Sequence, residues 1–386
     1  MIRSPAGFDG GDRIKRYLDY YQPSYGVMML SAGQFSPASL FAAGEQGAWY
    51  DPSDFSTMFQ DNLGATPVTA VEQTVGLILD KSGRGNNASQ ATAGSRPTLS
   101  ARVNILLGTA TLATQNVTTG AATYTLAFSG AGIVTATGTN IGVYSAGSNS
   151  LVCTAGTLTL TVSGSVTSAD LRVTNDGVGL PAYQRVTTAT DYDTANFPLY
   201  LRFDGSNDSL ATAAIDFSAT NKATVWTGVR KLSDTAFQLL CELTAGSFAP
   251  GSFSLDVGTA AGDASRRTYG IEQYTSAGSP PTTTAGAFLF PSPDTRVMTG
   301  QWDKAQATQI AQMIMRLNGV GQTLTFNNAN LGSGNFANDV LYIGRRGGTA
   351  SPLNARLYSL IVRGAQSTAT QITNTETWVN GKTRAY

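Results

Sequence analysis

The chain contains no histidine in 386 residues. That removes Ser-His-Asp and Cys-His nucleophile pairs, His-ligated zinc, haem on a proximal histidine and the histidine pH switch. Acid-base chemistry then falls to carboxylates. A retaining glycosidase sets two carboxyl groups about 5 to 5.5 Å apart, and near neighbours on one strand face supply them simply. The glutamates are only five, Glu45, Glu72, Glu242, Glu272 and Glu376, and none has a second acid within four positions. A catalytic pair would therefore have to be assembled from distant strands. The pairs Asp51 with Asp54 and Asp191 with Asp193 sit in Pro- and Thr-rich loops and read as turn and cap residues. The expectation is a protein that is not an enzyme.

Other residue sets point to binding. Asp204, Asn207 and Asp208 place three oxygen donors within five residues, with Asp80 as a fourth if its segment pairs with theirs. A hard cation held by such donors needs a shell of about six to eight oxygens. No cofactor is otherwise required. Tyr269, Tyr274, the Arg266-Arg267 pair and Trp302 lie in or near a Gly- and Ser-rich zone. Aromatic faces for stacking and guanidinium forks suit acidic glycans, and the competing reading places Trp302 and Tyr269 in the core or in a subunit contact. The run Gly344-Arg345-Arg346-Gly347-Gly348 lacks the spacing of a phosphate loop and reads as a turn with exposed guanidinium groups.

The elements that would position these residues are strands. Runs such as Tyr124-Thr125-Leu126-Ala127-Phe128 and Leu158-Thr159-Leu160-Thr161-Val162 alternate apolar with small polar residues between Gly, Ser, Asn and Pro turns. One face of each is core and the other wet, with threonine supplying solubility in place of ions. Charged residues are only 13% against about 25% in average proteins. Net charge is zero, so nothing gathers phosphates or an anionic bilayer, and nucleic acid is not an expected partner. No apolar run approaches the roughly 20 residues of a membrane helix, and the start does not lead into a secretory signal. Cys153 and Cys241 read as two separately buried thiols.

Four zones follow from texture. Residues 1–34 hold the cluster Asp12-Arg13-Ile14-Lys15-Arg16, followed by Tyr17, Tyr20, Tyr21 and Tyr25. They form a short polar arm suited to docking, with Arg13, Lys15, Arg16, Tyr17, Tyr20 and Tyr21 as contacts. Residues 35–100 begin a sandwich with a short helix from Ser36 and Pro37. Residues 101–185 are Thr- and Gly-rich without Glu or Lys, and read as an inserted β-sandwich of about seven or eight short strands. Residues 186–386 complete the first sandwich and end in a short helix over 370–383 that packs Trp378 on it. Asp204-Gly205 and Asn318-Gly319 are hairpin signals, and Gly83 and Gly85 signal a tight turn.

Three segments carry a family pattern: Trp49-Tyr50-Asp51-Pro52-Ser53-Asp54, Leu79-Asp80-Lys81-Ser82-Gly83-Arg84-Gly85-Asn86-Asn87-Ala88, and Leu201-Arg202-Phe203-Asp204-Gly205-Ser206-Asn207-Asp208-Ser209-Leu210. With Met315 to Gly319, Leu341 to Gly344 and Ala355 to Val362, they resemble laminin-G-like, concanavalin-type jelly rolls. The combination with a Thr-rich insert is similar to proteins of tailed-bacteriophage virions, over about residues 36 to 386. Asn87 stands where a histidine is common in that turn. The resemblance implies an all-β fold, a non-enzymatic virion component and a homo-oligomer, trimer favoured. It implies other virion proteins as partners of the arm, and attachment to a host-surface glycan. Calcium at a loop rim is also part of it. The other readings are a capsid decoration protein without a receptor role, a carbohydrate-active enzyme and a cellular lectin-like adhesin. The glucanase arrangement Glu-x-Asp-x-x-Glu of such jelly rolls is not present.

Overall fold

The computed structural model describes residues 35–246, 249–258, 265–274, 289–326 and 330–386, and the backbone of 282–286. The arm residues Arg13, Lys15, Arg16, Tyr17, Tyr20 and Tyr21 lie outside the described residues. From Ser36 the chain is an all-β jelly roll built from two antiparallel sheets, with a third sheet inserted between strands of the first.

The eight-stranded sheet runs Val320–Gly321, Met313–Leu317, Asp294–Asp303, Lys222–Lys231, Asn354–Arg363, Tyr200–Asp204 and Thr98–Ser100, and Gly47–Tyr50 also pairs with Asn354–Arg363. The ten-stranded sheet runs Met58–Phe59, Leu77–Ile78, Ala88–Ser89, Leu210–Asp216, Asn338–Ile343, Gln238–Thr244, Phe253–Val257, Tyr269–Gln273, Thr282–Gly286 and Leu324–Phe326. Their inner faces share one core, in which Phe203, Val225 and Trp302 of the first meet Cys241, Phe253 and Ile271 of the second. Alternation sends every second side chain there, and the intervening residues to the outer faces. The outer faces are covered too at the central strands, since Lys222–Lys231 and Gln238–Thr244 are buried along almost their whole length.

Turn chemistry largely behaves as the residues require. Asn318 and Gly319 take φ of 49° and 76°, closing a two-residue hairpin in which Leu317 faces Val320. Gly83 and Gly85 take φ of 81° and 77°. Asp204-Gly205 is not a hairpin, because Tyr200–Asp204 belongs to the eight-stranded sheet and Leu210–Asp216 to the ten-stranded one. The turn is a corner between sheets. The Ser36-capped helix is a single 3-10 turn, Pro37–Phe41.

The inserted sheet contains five strands, not seven or eight short ones, because Ala122–Gly138 runs unbroken for 17 residues. Its first half pairs with Thr167–Val173 and its second with Gly156–Ser163 on the same edge, while Gly142–Cys153 follows the other edge. Gln115–Thr119 closes the sheet as an edge strand. Tyr124, Leu126, Phe128, Leu158 and Leu160 fill a core of its own, as their alternation predicts. Entry and exit of the insert are clasped by Gln184, which is fully buried. Its side-chain Oε1 accepts from Val103 and Asn104 N–H, and its Nε2 donates to the carbonyls of Ala101 and Asp193.

The C-terminal helix Ala369–Thr383 opens on a capping box between Thr368 and Gln371. It is anchored by Glu376, which accepts from Thr299 and pairs with Arg316. Trp378 is half-buried and meets Trp49 edge-on at 5.5 Å. Cys153 and Cys241 are separate buried thiols. Among the described residues no helix is long and apolar enough to cross a membrane.

Candidate functional site

The ten-stranded sheet gathers acids that are far apart in sequence. Antiparallel register puts Glu242 opposite Ser254, and Ser254 opposite Glu272, so three neighbouring strands present one polar row on the outer face. Asp256 lies two residues along from Ser254 and joins the same face. Tyr274 extends the row, and Arg346 reaches it from the turn after Asn338–Ile343.

The contacts are uneven. Arg346 Nη2 donates to Glu272 Oε2 at 2.5 Å, and its Nε lies 3.4 Å from Glu242 Oε2. Ser254 Oγ and Tyr274 OH donate to the same Glu272 oxygen at 2.9 and 3.4 Å. Both oxygens of Glu242 and both of Asp256 are buried and accept no hydrogen bond. An unsatisfied buried acceptor is rare and costly.

Protonation lowers that cost. Burial, with the charge of Glu272 adding to it against Arg346, pushes the Glu242 carboxyl up from 4.5 to about 7. Burial first, and then the charges of Glu272 and Glu242, hold Asp256 well above its ordinary value. Burial and Glu272 raise the Tyr274 phenol. The row thus combines two carboxyl groups whose burial favours the protonated form with Glu272, which a guanidinium holds. Such a set can accept hydrogen bonds from hydroxyl groups, and can also serve acid-base chemistry.

The expected glycan set is not assembled. Tyr269 and Trp302 point into the shared core, where Tyr269 OH donates to Asp294 Oδ2 and Trp302 Nε1 to the Glu272 carbonyl. Both faces of the Tyr269–Gln273 strand are buried, so aromatic residues there offer no wet face. Tyr274 is the one member that joins the acid row. Arg266 folds back on the Gly258 carbonyl, and Arg267 is half-buried. Arg346, expected in an exposed turn, is 5% exposed because two carboxylates draw it inward.

The expected calcium donors serve the backbone. Asp80 accepts from Trp49, Ser82 and Asn86 N–H, pinning the Gly83-Gly85 turn to the Gly47–Tyr50 strand. Asn87 caps the same turn by accepting from Asp80 N–H. Asp204 accepts from Ser206 and Asn207, and Asp208 from Asp204 N–H. Burial and the Asp204 charge raise Asp208 to about 6. Among the described residues no three acidic or cysteine side chains gather as a metal site. Asp54 caps the turn Phe55–Thr57, and Asp191 and Asp193 pair with Arg185, as turn and cap residues should.

Glu242, Asp256, Glu272 and Arg346 lie far apart in the sequence, so spacing alone does not bring them together. A signal does exist: in Cys241-Glu242-Leu243, Leu255-Asp256-Val257 and Ile271-Glu272, a lone acid sits between or beside core residues in three consecutive strands.

No protein-family model matches the chain, and no curated protein matches it. Solved structures are similar to it over part of its length. The Trypanosoma rangeli sialidase in complex with the inhibitor DANA is 14% identical with a TM-score of 0.33, over 46% of this chain and 27% of that one. The Ruminococcus gnavus IT-sialidase CBM40 is 19% identical with a TM-score of 0.32, over 41% of this chain and 84% of that one. The botulinum neurotoxin type G receptor binding domain is 9% identical with a TM-score of 0.33, over 48% of this chain and 43% of that one.

Proposed function

We propose that the chain is a non-enzymatic glycan-binding component of a tailed-bacteriophage virion, used in attachment to the host surface. The observation that carries glycan binding is the acid row, whose carboxyl oxygens on Glu242 and Asp256 lack donors and are closed to solvent, so that a sugar reaches them only when the cover over the outer face of these strands opens. Sugar hydroxyls are donors of the right kind, and Tyr274 and Arg346 would orient a ring beside them. The virion assignment rests on the motifs from Trp49 to Asp54, Leu79 to Ala88 and Leu201 to Leu210. In a particle the chain would act as a homo-oligomer, with a trimer favoured, and the arm would dock on other virion proteins.

A second reading, a carbohydrate-active enzyme, is favoured by one observation. A carboxyl raised to about 7 at Glu242, which shares Arg346 with Glu272, is the kind of group a general acid needs. Glycan-array and host-lipopolysaccharide retention, compared between the wild type and Asp256→Asn, tests binding. Retention lost in the variant supports attachment; a wild type that retains nothing favours decoration of the particle. Release of new reducing ends from a retained glycan, abolished in Glu242→Gln, would overturn the non-enzymatic reading.

A further inference from the structure

The outer face of the eight-stranded sheet carries an arrangement that the acid row does not explain. Arg202 pairs with Arg356 across the strands, and Arg356 pairs with Arg230 on the next one. Three guanidinium groups therefore stand in one register row. Like charges directly opposite one another destabilise a sheet unless anions intervene. Two do: Asp176 of the insert lies 3.0 Å from Arg230 and 2.9 Å from Arg356, and Glu72 lies 3.2 Å from Arg202. Arg102 is a fourth cation, with Nε and Nη2 donating to the carbonyls of Asn104, Ile105 and Leu106 and Nη1 making no hydrogen bond among the described residues. Four guanidinium groups thus face two carboxylates.

The excess charge opens onto a cleft of about 330 Å³ between this row and the edge strand of the insert. Arg102, Arg202 and Arg356 line it with Tyr200, and no acid does. The opposite wall is Gln115–Thr119, unpaired on its outer side, with Asn116 and Thr118 exposed. A cavity of this size, apolar at Ile105, Leu107 and Leu232 with a few convergent polar groups, has the form of a small-ligand site.

We propose that this cleft binds a saccharide carrying an oxyanion, carboxylate or phosphate. Arg202, 46% exposed and held by one carboxylate, engages the anion together with Arg102 Nη1. Asn116 and Thr118 take the sugar hydroxyls. The site lies on the opposite sheet from the acid row, so the two stand or fall separately.

The test is isothermal titration of the full chain with trigalacturonate, mannose 6-phosphate and neutral maltotriose at low and high salt. An acidic probe should bind in preference to maltotriose and weaken as salt rises; the carboxylate and phosphate arms tell which anion is taken. Arg202→Gln should weaken it by about tenfold or more, the usual cost of a charge-assisted hydrogen bond. Asn116→Ala, on the exposed edge, should weaken it less. Equal binding of acidic and neutral probes, or unchanged affinity in Arg202→Gln, would overturn the proposal. If Arg202→Gln fails to fold, Thr118→Glu, which puts a carboxylate at the rim, must abolish acidic binding.

Discussion

Replacing Glu242 with glutamine gives the sharpest test of the acid row. The Glu242 carboxyl titrates near 7 in the folded protein against an ordinary 4.5, chiefly because it is fully buried. Between those values the folded chain holds a proton that the unfolded chain has lost. Stability from this group is therefore full below pH 4.5 and declines as pH rises to about 7. At about 1.4 kcal/mol per pH unit, the interval amounts to about 3 kcal/mol. Glutamine keeps the shape, carries no charge and titrates nowhere, so Glu242→Gln should remove this part of the pH dependence. At pH 4.5 the two proteins should be nearly equal in stability. By pH 8 the variant should be the more stable by about 2 to 3 kcal/mol, less whatever Arg346 loses at its 3.4 Å contact. Urea denaturation of both proteins across this range reads the difference, to which the easing of Asp256 once the Glu242 charge is gone adds in the same direction. A difference that stays constant from pH 4.5 to 8 would refute the argument that burial, and not Arg346, dominates the site.

Three further outcomes are expected. Asp176→Asn leaves Arg230 and Arg356 buried without their shared carboxylate, which should cost about 3 to 5 kcal/mol and lower the calorimetric transition. Lys304, 5% exposed with no hydrogen bond at Nζ, is pulled down by burial from 10.5 to about 7. The folded state binds fewer protons than the unfolded one through that window, so Lys304→Met should stabilise by a few kcal/mol at neutral pH. That gain should vanish as pH nears 10.5, and is reduced by the contact of Nζ over Phe336 at 3.9 Å. Gly228→Ala would place a Cβ 1.9 Å from Thr383 Oγ1, so the C-terminal helix should detach at that end and become cleavable in limited proteolysis.

The strands of the fold were legible because alternation is a local property. Tyr124, Leu126 and Phe128 face a core, and Asn318-Gly319 turns a hairpin, whatever the rest of the chain does. The absence of histidine likewise restricts the chemistry before any folding. Sequence could not show which strands become neighbours, because pairing depends on register and long-range closure of the sheets. Asp204-Gly205 looked like a hairpin and instead bridges two sheets. Tyr269 and Trp302 admit two readings in the sequence, a sugar platform or core, and burial of both strand faces decides for the core.

Both proposed sites belong to that second category. Glu242, Asp256 and Glu272 span three strands and share one face only through register, and Arg202, Arg230 and Arg356 do the same on the other sheet. Their residue types were set by the sequence, as were the low charge and the threonine-rich surfaces around them. Their convergence, their burial and the raised carboxyl of Glu242 arise only when antiparallel pairing brings distant charges together and removes water from around them.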